Sequence, residues 1–319
     1  MDDQALADAA RKLVRQASLS PSEVARRLEW ALDEAYWEAL SRAEGTEGRT
    51  TGVATPVISK ADILRHVGHL KSEGYFCIEN VVEPERVAAL YSAVEKVRSA
   101  GWPAVFAFVY EEFWSLTAIE PLATFLEAAV GPAYLQNSAI WAHWVNGESG
   151  NAGWHPHFDM AGEDDGFLSV WIALTNATLD NGCMYLVGRR ASSSARVDAI
   201  EATRDLPYES YSAILRNTIA VPAPAGSVIG WRGDILHWGS INTGNPSPRV
   251  SLALEVRSHT TVAKEFETPL FDPRSAAPPF PQRLAAIARG ILKFAKFEPI
   301  MSRHRALAEQ ILEKTRQSK

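Results

Sequence analysis

The chain has 319 residues, 46% of them hydrophobic, and this content excludes a wholly disordered protein. A formal net charge of −6 excludes a general basic surface for nucleic acid, and two cysteines are too few for a disulfide framework. The sequence has no apolar run near the roughly 20 residues of a membrane helix and no signal-peptide layout, so we expect a cytoplasmic protein without a membrane span.

Helices are predicted within residues 1–55, which we interpret as an N-terminal helical extension. Residues 20–23, Ser-Pro-Ser-Glu, have the pattern of a capping box with proline at the first helical position. Residues 44–58 are small, polar and rich in glycine, which is typical of a linker or a mobile loop. The next predicted elements are a helix ending near Gly74, a strand from Tyr75, an amphipathic helix over 83–100, and an apolar run at 104–110 with the length of a core strand.

Short strands separated by turn residues are predicted from residue 133 to residue 258. Many short strands at this spacing are typical of an all-β sandwich or barrel such as a jelly roll. The last strand alternates cleanly, so that Arg249 and Ser251 share one face and aliphatic residues share the other. The predicted strand segments are 133–146, 154–160, 167–177, 179–187, two within 223–240, and 249–258.

Residues 263–319 are predicted to be a C-terminal helical tail, which leaves 56–262 as the central domain. Its apolar residues recur with the spacing of one helix face, while basic residues lie off that face. Two interpretations are open: the apolar face packs on the β core or on another subunit, or the tail contacts an anionic partner or a membrane surface. We favour packing. The apolar positions are Leu284, Ile287, Ile291 and Phe294.

The sequence GWHPHFDM, residues 153–160, places His155, His157 and Asp159 at alternate positions. In an extended strand these side chains share one face, and the tryptophan before them lies on the other. A further histidine, His237, follows in the predicted strands. Two histidines and a carboxylate on a β scaffold fit the facial triad of non-haem Fe(II), which leaves three octahedral positions open.

Arg249 follows His237 by 12 residues and gives this pattern its specificity. The planar fork of an arginine matches a carboxylate, and Ser251 shares its strand face. A cosubstrate that chelates iron at one end and carries a carboxylate at the other would meet this pair. If the strand that bears His237 pairs with the strand that bears Arg249, residues 239–248 are a plausible connection between them and the arginine lies one strand from the iron.

Four ordered blocks resemble a known family: LKSEGYFCIENVVEPERVAAL, WHPHFD, VWIALTNATLDNGCMYLVGRR and GSVIGWRGDILHWGSINTGNPSPRVSL. The pattern is similar to the phytanoyl-CoA dioxygenase-like branch of the Fe(II)/2-oxoglutarate-dependent dioxygenases. The resemblance implies a mainly β domain, a double-stranded β-helix, with helices packed outside. It assigns Fe(II) ligation to His157, Asp159 and His237, anchoring of 2-oxoglutarate to Arg249, and positions near the cosubstrate or substrate to Ser251 and Trp171.

The reaction implied by the resemblance consumes 2-oxoglutarate and O2, releases succinate and CO2, and hydroxylates an unactivated C–H bond. Halogenating relatives lack the carboxylate ligand, so Asp159 favours hydroxylation, or a related desaturation or ring formation. The small-molecule substrate is left open between an amino acid and a specialised natural product. An acidic loop at 163–165 is interpreted either as a site for a cationic amine or as a solvated loop.

Four residues are candidates for contact with the substrate: His155, His143, Trp171 and Trp238. His155 is predicted to face inward, either toward the substrate or as a hydrogen-bonded histidine behind the metal ligands. Two other functions stay open: a cupin-like Zn or Mn hydrolase or isomerase, and a non-catalytic binding protein on the same fold. The first leaves Arg249 without a role, and binding alone requires neither the intact triad nor this arginine.

Overall fold

Helices come first along the chain, strands follow, and helices return at the end. The computed structural model describes residues 18–42, 58–147, 153–160, 164–189, 208–260, 262 and 267–317. The α-helices are α1 Pro21–Leu32, α2 Glu34–Arg42, α3 Lys60–Glu73, α4 Pro84–Ser99, α5 Leu122–Val130, α6 Tyr208–Asn217, α7 Phe280–Phe294 and α8 Arg305–Gln317. The strands are β1 Tyr75–Ile78, β2 Leu135–Val145, β3 Phe167–Ala173, β4 Met184–Val187, β5 Thr218–Val221, β6 Val228–Trp231, β7 His237–Gly239 and β8 Arg249–Arg257.

The strands form two antiparallel sheets. The larger has the order β1-β6-β3-β8-β2 and the smaller has the order β5-β4-β7. β8 therefore lies between β2 and β3, and its Ser251 is opposite His143 on one side and Ala173 on the other. Arg249 and Ser251 lie on the same face of β8, where Nη1 of Arg249 donates to Oγ of Ser251, as the alternation of β8 predicts.

Helices from both ends of the chain pack into the same hydrophobic core as the strands. Trp37 of α2 and Ile287 of α7 are 2% and 0% exposed, and both belong to the cluster that contains Leu252 of β8. The apolar face of α7 is thus buried within this chain, against β2 and α8. The predicted boundaries of the three segments, 1–55, 56–262 and 263–319, stay a prediction. None of the described helices has the length and hydropathy to cross a bilayer.

Local sequence signals at helix ends are confirmed, and one predicted strand is wrong. Ser20 caps α1, with the reciprocal hydrogen bonds of a capping box to Glu23. The apolar run that we expected to be a core strand is instead a buried 3₁₀ helix, Ala104–Val109. A short segment that is buried on every side has no alternation of apolar and polar residues, so its sequence does not distinguish a strand from a helix. The predicted linker at 44–58 lies almost wholly outside the described residues.

The buried His304 makes the stability of the fold depend on pH. Burial, together with Arg303 and Arg27, lowers the pKa of His304 from 6.5 to about 3. Between these values the unfolded chain binds a proton that the folded chain does not, so stability is lost as pH falls below about 6.5. We expect His304→Gln to remove up to about 2 kcal/mol of the stability loss between pH 7 and pH 5, as measured by urea unfolding. Equal losses in the two proteins would contradict this.

Candidate metal centre

The segment that contains the H-x-D motif is irregular rather than a strand. It has an isolated bridge, in which His157 and His237 exchange backbone hydrogen bonds of 3.0 and 3.1 Å, and its other backbone hydrogen bonds, such as that from the Gly239 N–H to the Trp154 carbonyl, do not continue that register. Pro156, directly before His157, has no N–H to continue a ladder. The predicted strand is therefore wrong, and so is the orientation inferred from it: His155 is exposed, whereas Trp154 is 8% exposed, with its ring centroid 5.7 Å from that of His157.

His157, Asp159 and His237 nevertheless bring three ligand atoms together, all within 4.8 Å of one another. Oδ1 of Asp159 lies 3.6 Å from Nε2 of His157 and 3.7 Å from Nε2 of His237. Each histidine places Nδ1 within hydrogen-bond distance of a carbonyl two residues earlier, at 2.7 and 2.9 Å. An Nδ1–H donated to a carbonyl leaves Nε2 with the lone pair that a metal needs.

The protonation states of these groups suit a divalent cation. Burial and the neighbouring His237 lower the pKa of His157 to about 3, so its imidazole is neutral. Burial raises the pKa of Asp159, but His237, His157 and two hydrogen bonds outweigh it and hold that pKa below its usual range. Nε2 of His157 is buried without a hydrogen-bond partner among the described residues. Two imidazoles and one carboxylate form the donor set that non-haem Fe(II) prefers.

The second oxygen of Asp159 is held by two side chains. Oγ of Ser169 donates to Oδ2 at 2.5 Å, and Nε1 of Trp231 donates to the same atom at 2.8 Å. Ser169 and Trp231 are opposite each other on β3 and β6, which explains how one carboxylate oxygen reaches both. These bonds fix the carboxylate so that Oδ1 remains directed toward the histidines.

A buried arginine lies in the same pocket as the three ligands. Arg249 is 1% exposed, and its Nη1 donates to Oγ of Ser251 at 3.0 Å. Its Nε and Nη2 have no partner among the described residues, and neither has the buried Nε1 of Trp171, whose ring lies 5.7 Å from the guanidinium carbon. Burial lowers the pKa of Arg249 to about 10, so it is still a cation at neutral pH. Buried charges are normally paired, and these donors fit a carboxylate.

Arg249 and His237 meet across the two sheets. The pairing of their strands that we considered is not formed, because β7 pairs with β4 in the smaller sheet and β8 lies in the larger one. Gly239 of β7 makes the approach possible, because a Cβ atom there would lie 2.9 Å from Nη2 of Arg249. The arginine thus reaches the metal ligands from the opposite wall of the pocket.

Residues 123–250 match the phytanoyl-CoA dioxygenase (PhyH) family model. The three ligand residues and Arg249 all lie inside the match. Residues 123–250 belong to the PhyH family. Its enzymes are non-haem iron, 2-oxoglutarate-dependent dioxygenases, so residues 123–250 are those of an enzyme of this class, and the cluster of His157, Asp159 and His237 could bind its iron.

Two solved structures have a fold similar to that of this chain. The epimerase SnoN, in complex with Fe³⁺, α-ketoglutarate and nogalamycin RO, is 18% identical with a TM-score of 0.50, and the likeness covers 69% of this chain and 96% of SnoN. The non-haem monooxygenase ThoJ, in a nickel complex, is 16% identical with a TM-score of 0.50, over 77% of this chain and 99% of ThoJ. No curated protein matches the sequence significantly. At these identities the likeness shows the fold.

The PhyH pocket contains two of the four predicted substrate residues. His143 and Trp171 line it together with the metal ligands. Trp238 does not, because it follows His237 on β7, points to the other face, and stacks on Tyr185 with ring centroids 5.5 Å apart. His155 also lies outside the lining, with its ring 5.1 Å from that of Phe297. The prediction that His155 and Trp238 face the pocket is therefore wrong.

Several residues of the PhyH site were missed by sequence reasoning. Ser169 and Trp231 hold Asp159, and Phe294 at the end of α7 lines the pocket. Phe297 stacks on Trp154 with ring centroids 4.9 Å apart and lies 4.6 Å from His157. Ser169 and Trp231 could be predicted only if the pairing of β3 with β6 were known. No local pattern in the sequence indicates that Phe294 and Phe297 lie at the pocket.

Removing the hydroxyl of Ser169 should weaken iron binding without abolishing it. In Ser169→Ala, Oδ2 of Asp159 keeps only the bond from Trp231, so the carboxylate is less well oriented. We expect the Fe(II) affinity to fall about 10- to 100-fold in an anaerobic titration. The matched control is Ser227→Ala, which removes a buried hydroxyl that has no partner among the described residues. Equal iron affinities in the two variants would contradict the role of Ser169.

Proposed function

We propose that this enzyme hydroxylates an unactivated C–H bond of a small metabolite, an amino acid or a specialised natural product, and releases succinate and CO2 from 2-oxoglutarate. The observation that carries the proposal is Arg249, a buried cation with unpaired donors in the same pocket as the His157, Asp159 and His237 ligands. A zinc hydrolase or isomerase needs the ligands but has no use for such an arginine.

Residues of this chain hold each component in the proposed reaction. Nε2 of His157, Nε2 of His237 and Oδ1 of Asp159 hold the iron, which when bound activates O2 for oxidation of the substrate. Arg249 and Ser251 bind the distal carboxylate of 2-oxoglutarate through the guanidinium fork and the hydroxyl.

His143 has a supporting part in binding the cosubstrate. It lies opposite Ser251 on β2, and burial, Arg249 and His157 lower its pKa well below the usual value. The imidazole is therefore neutral, which leaves the charge of Arg249 as the attraction for a carboxylate at this end of the pocket. A protonated histidine here would instead repel both the arginine and the iron.

The surrounding fold supports the same proposal. Side chains of the two antiparallel sheets converge on the pocket, as in the double-stranded β-helix, or jelly roll, that we propose for residues 56–262. Trp154, Trp171 and Phe294 form apolar walls that exclude water from the iron.

The test is an anaerobic titration of the metal-free protein with Fe(II) and then 2-oxoglutarate. We expect the weak visible charge-transfer band of the iron chelate in the wild type and its loss in Arg249→Ala. Arg305→Ala, which removes an exposed arginine of α8, is the matched control and should keep the band. Iron binding without the band would refute 2-oxoglutarate as cosubstrate. Mass analysis of products then separates hydroxylation from desaturation, ring formation or epimerisation.

A further inference from the structure

Glu255 is a carboxylate inside the pocket that the metal and cosubstrate do not need. It lies on the same face of β8 as Arg249, six residues further on, which is about 20 Å along a strand. Glu255 lines the pocket together with Asp159, Ser169 and Phe294, and its side chain is 14% exposed. The pocket thus has a cationic end at Arg249 and an anionic end at Glu255, with the metal ligands between them.

An irregularity in β2 orients this carboxylate. The register between β2 and β8 shifts between Gln136 and Ile140, and Asn137 lies within the shift. Oδ1 of Asn137 accepts the backbone N–H of Ala139 at 2.8 Å, and its Nδ2 donates to Oε2 of Glu255 at 2.6 Å. Bulges beside active sites commonly redirect a side chain, and here the redirected amide fixes one oxygen of Glu255.

The other oxygen of Glu255 has an ammonium group near it but outside hydrogen-bond range. Nζ of Lys293, on α7, lies 3.8 Å from Oε1, and the lysine side chain is 31% exposed. Burial, Asp159 and Glu267 together raise the pKa of Glu255 above its usual value, although Lys293 and the hydrogen bond from Asn137 lower it, so a cation beside Oε1 favours the charged carboxylate. The position of Nζ shows that an ammonium group fits beside Oε1.

The acidic loop considered as an amine site is less suited to this role. Oδ2 of Asp164 accepts a 2.8 Å hydrogen bond from Arg257, which also pairs with Glu267, so this carboxylate already has a cationic partner. Asp165 is exposed at 83% of its side chain. Glu163 lies outside the described residues. Among the described acidic residues that line the pocket, Glu255 is therefore the one beyond the metal ligand Asp159.

We propose that Glu255 binds the substrate, and that the substrate is a small molecule with a protonated amine. This inference rests on the proposed function, because it assigns the substrate class of the same site. The amine hydrogen bonds to Oε1 in place of the distant Lys293 ammonium, which turns toward solvent. The carbon skeleton then lies along Ala139, Ala253 and Phe294 toward the metal ligands, where the C–H bond is oxidised.

The experiment uses the protein loaded anaerobically with Fe(II) and 2-oxoglutarate at pH 7. The charge-transfer band is followed during titration with hexylammonium, with 1-hexanol and with hexanoate, which share a chain length and differ in the end group. We expect the dissociation constant for hexylammonium to be at least about tenfold lower than for the other two, since a charge-assisted hydrogen bond favours it. Equal affinities for hexylammonium and 1-hexanol would overturn the inference.

Variants assign the preference to Glu255. Glu255→Gln should keep the charge-transfer band and lose the preference for hexylammonium, at least about tenfold in affinity. Glu298→Gln, which changes another buried carboxylate in the same way, should keep the preference. If Glu255→Gln does not fold, the affinity for hexylammonium is measured in Lys293→Met instead. Removing the competing ammonium should strengthen hexylammonium binding severalfold, and unchanged or weaker binding would overturn the inference.

The two proposals fail in different ways. If the wild type shows no charge-transfer band before any amine is added, the proposed function is wrong and the inference falls with it. If the band forms but hexylammonium does not perturb it, the inference about Glu255 is wrong and the dioxygenase assignment stands.

Discussion

Asp159→Ala is expected to abolish iron binding at concentrations that saturate the wild type. The change removes Oδ1, one of three converging ligand atoms, and leaves the hydroxyl of Ser169 and the indole N–H of Trp231 without their acceptor. The loss of Fe(II) affinity should exceed the roughly 10- to 100-fold loss that follows substitution of residues that hydrogen-bond to metal ligands. Anaerobic titration with Fe(II), followed by iron analysis of the desalted protein, measures it directly.

The control for Asp159→Ala separates loss of metal from loss of fold. Asp159 lies beside His157, whose pKa is lowered by burial, so removing the carboxylate leaves that imidazole neutral and both histidine side chains in place. The far-ultraviolet circular dichroism should match that of the wild type, while 2-oxoglutarate turnover disappears. A variant that still binds Fe(II) as tightly as Ser169→Ala would show that Asp159 is not a ligand.

The strands were predictable because β8 and β3 carry strong local patterns. The alternation of β8 correctly placed Arg249 and Ser251 on one face, and the hydrogen bond between them follows. The H-x-D segment was not predictable in this way, because Pro156 and a single bridge to His237 override the alternation that a strand would impose. His157, Asp159 and His237 do come together as the sequence predicts, and their role as metal ligands stays a prediction, whereas the predicted orientations of Trp154 and His155 are wrong.

Pairing between distant strands is what the sequence leaves open. The match of Ser169 with Trp231 depends on β3 pairing with β6, and the contact of Arg249 with Gly239 depends on two sheets meeting. The hydrogen bond from Asn137 to Glu255 spans 118 residues. Such contacts come from tertiary packing rather than local propensity, so a single sequence contains no period or spacing that reports them.

The second large effect is expected for the cosubstrate. Arg249→Gln should raise the KM for 2-oxoglutarate about 100-fold or more, because two charge-assisted hydrogen bonds of about 1.5–3 kcal/mol each are lost. The Fe(II) affinity should change little, since Arg249 is not among the clustered ligand atoms. Succinate formation against 2-oxoglutarate concentration gives the KM, and an unchanged KM would contradict the assignment of Arg249.

Gly239→Ala tests the same arginine without removing its charge. A Cβ atom at this position would lie 2.9 Å from Nη2 of Arg249 and 3.2 Å from Cα of Gly153, so the guanidinium has to shift away from the metal ligands. We expect a KM for 2-oxoglutarate between those of the wild type and Arg249→Gln. Gly244→Ala adds a methyl group where no atom lies within 4 Å, but at a φ of +111°, and so it controls for backbone strain alone. Of these two variants, Gly239→Ala alone should change the KM for 2-oxoglutarate. The reason is that binding of the distal carboxylate depends on the orientation of the Arg249 guanidinium as well as on its charge.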